Sequence, residues 1–163
     1  MTPDPTKPRL TLDQVSAGDL LPVLRHPVSA TTVVLGALAT RDWRPMHHDH
    51  DFAVTRNGVR DIFLNTPNQA AWFERCLTDW TGPHGRPGRM RFRMKDSVFP
   101  GDLMEIAGTV SGVAVDDTGC GWADIELDLA VGGVSKTGCT ARIAIPVSPD
   151  DNPWTRRGER WHP

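Results

Sequence analysis

The chain has 163 residues, 39% of them hydrophobic and 23% charged, with a formal net charge of -2. That length supports one domain with a substantial core and is too short for two. The near balance of charge excludes a general pull towards nucleic acid or an anionic membrane surface.

In chain order, residues 1–14 read as a disordered or docking lead, rich in proline at Pro3, Pro5 and Pro8. The first residues lack the apolar run of a signal peptide and no stretch approaches membrane-spanning length, so a cytoplasmic protein is expected. Residues 20–28 read as a strand that Pro22 and Pro27 place at a sheet edge. Ser29 or Thr31 can cap a helix running to about residue 41, with Val33, Val34, Ala37 and Leu38 at helical spacing. A polar turn over residues 42–53 follows, then a short helix over 52–59 closed by Asn57-Gly58. Asn65 or Thr66 as N-cap and Pro67 at the first helical position open the strongest helix, residues 67–80. Trp72, Phe73, Cys76, Leu77 and Trp80 give it a wide apolar stripe, as expected for a helix wrapped by something concave.

Four strands follow, at residues 89–95, 102–115, 122–131 and 136–146, separated by Pro100-Gly101, by residues 116–119 and by Gly132-Gly133. The first alternates Arg89, Arg91, Arg93 and Lys95 with Met90, Phe92 and Met94, so one face is basic. That face is either a solvated surface or a ramp for a phosphorylated ligand. Residues 148–163 form a polar tail whose Trp154 and Trp161 imply that it lies down on something, such as a neighbouring subunit. Cys76, Cys120 and Cys139, an odd count without CxxC spacing, argue against a disulfide framework and for reduced thiols that fill core space. Together these elements describe an α+β domain, a curved antiparallel sheet around one long central helix. Its open edges favour dimerisation.

Chemistry concentrates in the polar turn, where Asp42, His47, His48, Asp49, His50 and Asp51 fall within twelve residues. Burying so many charges without partners is costly, so the segment is expected where water or a ligand reaches it. Pro45 keeps Arg44 out of helical geometry, and a stiff, extended turn would then aim Asp42 and His47 at one small reactant such as water. Two other readings stand beside this one: zinc ligation by His48, Asp49, His50 and Asp51, although no second ligand cluster exists, and a plain exposed loop.

Asp42-Trp43-Arg44-Pro45-Met46-His47, with Ala53 six residues on, resembles the signature of MaoC-like hydratases and dehydratases of the hot-dog fold: an aspartate, Asn-Pro, an aliphatic residue, a histidine, then Ala or Ser. The stretches 37–49, 61–65 and 78–83 are similar to the small MaoC-like subunit of bacterial enoyl-CoA hydratases acting on steroid side chains. The likeness spans about residues 15–147, leaving 148–163 as a tail. Arg41 stands where the general signature has Gly, Arg44 where it has Asn, and Leu64-Asn65 where many members carry His-Gly. Arg41 agrees with the steroid-type subgroup.

The resemblance implies reversible hydration of a trans-2-enoyl-CoA, with no cofactor beyond the CoA thioester substrate and no metal. Asp42 would orient the water and His47 relay its proton, while N–H groups around Asn65 and Thr66 meet the thioester oxygen. Arg89, Arg91 and Arg93 are candidate CoA phosphate contacts, and a homodimer or a heteromer with a second MaoC-like subunit is expected. The alternatives are a hot-dog acyl-CoA thioesterase and a non-catalytic acyl-CoA-binding subunit.

Overall fold

A computed structural model describes residues 9–163; residues 1–8 of the expected lead lie outside the described residues. Five strands, β1 (Leu24–Pro27), β2 (Arg86–Met94), β3 (Leu103–Val115), β4 (Gly121–Val131) and β5 (Val134–Ala144), pair antiparallel in the order β1-β3-β4-β5-β2. Three α-helices stand before β2 in the chain: α1 (Ala30–Ala39), α2 (His50–Asn57) and α3 (Thr66–Thr81). The α+β expectation of one antiparallel sheet around a long helix holds.

Strand alternation decides which side α3 occupies. Ile106, Val110, Ile125, Leu127, Leu129, Cys139, Ala141 and Ile143 point to one face and join Phe73, Cys76 and Leu77 of α3 in a single core. The register carries that inner face to Phe92, opposite Cys139, and to Met90, opposite Ala141. Burying this many large apolar groups at roughly 25 cal/mol per Å2 supplies the main favourable term for folding. The three cysteines are free and buried, and burial pushes their thiols up to about 11.

Several boundaries differ from expectation. Only Leu24–Pro27 of residues 20–28 is strand, because Pro22 offers no N–H; Leu20 makes an isolated bridge to Thr109. α1 stops at Ala39 rather than residue 41, and α2 starts at His50, where Asp49 accepts a hydrogen bond from Phe52 N–H. Trp72 and Trp80 are half-buried rather than enclosed, because the sheet covers one side of α3 only. Trp72 stacks on His26 with ring centroids 4.2 Å apart. Buried Asn68 and Gln69 were not foreseen. Asn68 donates to Thr32 O, and Gln69 accepts from Thr137 Oγ1.

Gly36 lets α1 approach α3: a Cβ there would sit 1.8 Å from Asn68 Nδ2. The C-terminal tail packs on its own chain. Trp161 packs against Trp122, and the Arg86 guanidinium lies 3.6 Å from the Trp161 ring while donating to Pro153 O and Arg156 O. Among the described residues no helix is long and apolar enough to cross a membrane.

Candidate functional site

Asp42 is delivered by the way α1 ends. Arg41 N–H donates to Leu38 O and Asp42 N–H donates to Ala37 O, at 3.1 and 2.9 Å. This double closure is a Schellman motif, and it requires Arg41 in the left-handed region, at φ 54°. Gly is the usual occupant there, so the general family signature and this geometry agree, while Arg41 carries the strain. Thr40 secures the same end by donating to Gly36 O.

His47 arrives by a tighter path than the extended turn expected. Arg44 is extended, at φ -66° and ψ 130°, but Pro45–His47 form one 3-10 turn. The imidazole is buried, not exposed as the polarity of the segment had implied. Its Nδ1 lies 2.8 Å from Phe63 O, and its ring meets the Phe63 ring edge-on at 4.9 Å. A carbonyl only accepts, so Nδ1 carries the proton and, in the neutral ring, Nε2 bears the lone pair. That Nε2 lies 3.5 Å from Asp42 Oδ2. The two predicted residues therefore converge. Two acceptors facing each other at this distance do not bond; a water molecule beside them can donate one hydrogen to each.

The Asp42 carboxylate is itself well satisfied, which is why it can be 9% exposed. Arg44 donates from Nε to Oδ1 at 2.9 Å and from Nη2 to Oδ2 at 3.0 Å, a two-point clamp. Asn65 Nδ2 adds a bond to Oδ2 at 3.0 Å. Arg44's hydrogen bonds, with help from Asn65, hold the carboxyl well below the usual range against the burial that would raise it. Arg44 in this role was missed. The extended geometry forced on a residue before proline, two positions after the aspartate, was the available signal.

Asn65 and Thr66 stand beside the pair at the start of α3. The Asn65 side chain accepts from Asn68 N–H and donates to Thr40 Oγ1 as well as Asp42, tying the ends of α1 and α3 together. Backbone N–H groups of Asn65 and Thr66 precede the first intrahelical bond, from Gln69 N–H to Asn65 O, so the helix uses neither. Thr66 Oγ1 donates to Met94 Sδ at the end of β2. Arg89, Arg91 and Arg93 are not brought to this group: they lie exposed on the outer face of β2, opposite the Met90 and Phe92 that meet the core.

The zinc reading loses its geometry: Asp49 caps α2, and among the described residues no three His, Cys, Asp or Glu side chains form a metal-binding group. A cleft of about 510 Å3 runs between α1 and α3 beside His26, Gly36, Ala39, Asn68 and Trp72. Asp42 and His47 do not line it; its Asn68 bonds Asn65, which in turn bonds Asp42.

No family model matches the chain. A curated relative, the 3-oxo-4,17-pregnadiene-20-carboxyl-CoA hydratase beta subunit of Mycobacterium tuberculosis, is 35% identical over 96 residues, which is 59% of this chain and 74% of that protein. Among solved structures, the ChsH1-ChsH2 complex from M. tuberculosis aligns at a TM-score of 0.72 and 27% identity, over 80% of this chain and 98% of the other. A MaoC-like dehydratase from Rhodospirillum rubrum aligns at 0.75 and 20% identity, over 86% and 99%; that likeness concerns the fold alone.

Proposed function

The chain belongs to the MaoC-like enoyl-CoA hydratase/dehydratase family, and on that footing we propose that it adds water reversibly across the trans-2,3 double bond of an enoyl-CoA thioester. The acyl group proposed is bulky, of the steroid side-chain kind named for the M. tuberculosis relative. The observation that carries the chemistry is the approach of Asp42 Oδ2 and His47 Nε2 to 3.5 Å beside the N-terminus of α3.

Water is a weak nucleophile and needs a base in place before it attacks. Asp42 Oδ2 accepts one of its hydrogens and His47 Nε2 the other. As the water oxygen bonds to C3, the C2=C3 electron pair moves towards the thioester and His47 takes the proton. The oxygen charge that builds up is met by the unused N–H groups of Asn65 and Thr66, with the positive end of the α3 dipole behind them. His47 then returns its proton to C2, so one water is consumed and the residues are regenerated. No cofactor enters the scheme.

One observation favours a second reading, an acyl-CoA-binding subunit without turnover of its own. Arg44 donates to both oxygens of Asp42 and Asn65 adds a second bond to Oδ2, leaving little acceptor capacity there for water. By analogy with the two-component ChsH1-ChsH2 complex of M. tuberculosis, we place this chain in a heteromer with a second MaoC-like subunit.

The test is a panel of trans-2-enoyl-CoA esters, from crotonyl to a steroid side chain, followed by loss of enoyl absorbance with and without a candidate second subunit. Hydration of the bulky esters is expected. Binding without hydration in either arrangement selects the non-catalytic reading, and release of free CoA thiol selects a thioesterase.

A further inference from the structure

Phe73, Cys76 and Leu77 seal the inner side of α3 against the sheet, at 0%, 3% and 0% exposure. A bulky acyl group leaving Asp42 and His47 finds no room between helix and sheet and needs the other side of α3. On that side α1 runs antiparallel to α3: Asn65 bonds Thr40, Asn68 bonds Thr32 O, and Trp72 stacks on His26. The two helices touch where Gly36 meets Asn68, and beside this contact they leave the cleft of about 510 Å3. That volume falls within the roughly 300–1,000 Å3 of small-molecule sites.

The cleft has two unlike ends and an apolar middle. Its near end lies at Ala39 and Asn68, three residues from Asp42 and Asn65 respectively. In the middle Leu35 and Ala71 are exposed and Trp72 is half-buried, so an apolar ligand removes them from water without displacing a side chain. From Ala39 back to Thr32, and from Asn68 on to Arg75, each helix advances roughly 10 Å. The far end is polar, at His26, Thr31, Thr32 and Arg75. Thr32 Oγ1 is engaged by Ser29 and His26, whereas the Thr31 hydroxyl has no partner among the described residues. Burial and then the Arg75 charge lower His26, which keeps it neutral, so Arg75 supplies the positive charge. The Arg75 guanidinium lies 5.1 Å from the Trp72 ring and meets Asp79 in an exposed pair that holds it only weakly.

We propose that this cleft takes the acyl group of the CoA ester, a rigid fused-ring apolar body roughly 10 Å long whose far end carries an acceptor oxygen facing Arg75 and Thr31. A straight hydrocarbon chain fits less well. It would cover a cation and a hydroxyl at the far end without giving them an acceptor, and it loses more conformational freedom on binding than a rigid body does. Leu35, Ala71 and Arg75 are then specificity-determining residues, acting away from the reacting atoms. This inference rests on the reading that the chain binds enoyl-CoA, and it names the acyl groups that the site accepts.

The test measures binding of saturated acyl-CoA esters, which cannot be hydrated, by isothermal titration calorimetry on the full-length chain, alone and with its candidate second subunit. The probes are butyryl-CoA and fused-ring acyl-CoA esters bearing a terminal keto group, a terminal carboxylate or neither. Ala71 is exposed on α3, and leucine there keeps the helix while filling the cleft. Ala71→Leu is expected to weaken every fused-ring ester at least ~tenfold and to leave butyryl-CoA unchanged. Arg75→Ala is expected to weaken an oxygenated ester ~tenfold and to spare the ester without a terminal oxygen. Should Ala71→Leu lose its thermal unfolding transition, Arg75→Ala carries the comparison alone. Fused-ring binding that Ala71→Leu does not change overturns the proposal and leaves the hydration reading standing, and equal losses for butyryl-CoA overturn it as well. Unchanged ester binding with weakened association with the second subunit makes the cleft a protein interface instead. A chain that binds no ester at all loses the enoyl-CoA reading, and this inference with it.

Discussion

The guanidinium of Arg44 holds the carboxylate of Asp42 at both oxygens, at 2.9 and 3.0 Å, and does so from the solvent side, with its own side chain 64% exposed. A water molecule bound for His47 must share Asp42 with this clamp. Replacing Arg44 with Asn, the residue of the general signature, is expected to raise kcat for enoyl-CoA hydration several-fold. Added salt, which weakens exposed ion pairs, should stimulate the wild type and not the variant. Steady-state rates at low and high ionic strength check both, and equal salt responses would remove the clamp from the mechanism.

Asp42→Asn and His47→Gln are each expected to lower kcat/KM about 10²- to 10⁴-fold, the range associated with a lost general base. Thermal melting followed in parallel separates this from unfolding. Near-normal hydration by either variant would end the dyad assignment.

Arg41 occupies a left-handed position that glycine adopts freely. Arg41→Gly relieves that strain and is expected to stabilise the fold by about 0.5–1 kcal/mol, after the extra freedom glycine gives the unfolded chain is subtracted. The urea midpoint should rise; a fall would mean that the arginine side chain contributes more than its backbone strain removes.

Gly36→Ala works in the opposite direction. Alanine favours the helix by up to ~1 kcal/mol, but its methyl would overlap Asn68 Nδ2 and Cγ, so overpacking of ~1–3 kcal/mol is expected to dominate. Combining it with Asn68→Ala should recover part of the loss in the urea midpoint, because the clash then has no partner.

Acid should destabilise the protein through two carboxylates. Arg44 and Asn65 hold Asp42 below the usual range. Asp116 is raised by burial, but hydrogen bonds from the Trp122 indole, Thr118 and Cys120 outweigh this and hold it low as well. A carboxyl lowered on folding contributes stability that is complete above its unfolded pKa, near 3.8, and is lost as pH falls through the folded value. Stability from these groups should therefore hold at neutral pH and decline below about pH 4, and Asp116→Asn should flatten that decline in acid denaturation followed by tryptophan fluorescence.

The architecture was legible because it rests on local periodicity. Alternation in β2 placed Arg89, Arg91 and Arg93 on one face and Met90, Phe92 and Met94 on the other, and Asn65-Thr66-Pro67 announced α3. The spacing of Asp42 and His47 around Pro45 likewise marked a pair able to converge. Relationships between segments distant in sequence were not readable. The bond from His47 to Phe63 O spans 16 positions and that from Asn65 to Asp42 spans 23, and only the folded chain brings these segments together. Burial of the dyad escaped the linear reading for the same reason: a polar run is judged exposed until its partners are known, and here those partners come from the turn after α1 and the entrance to α3. Composition and period set the elements, while the close approach of two helices decided which charges could leave water.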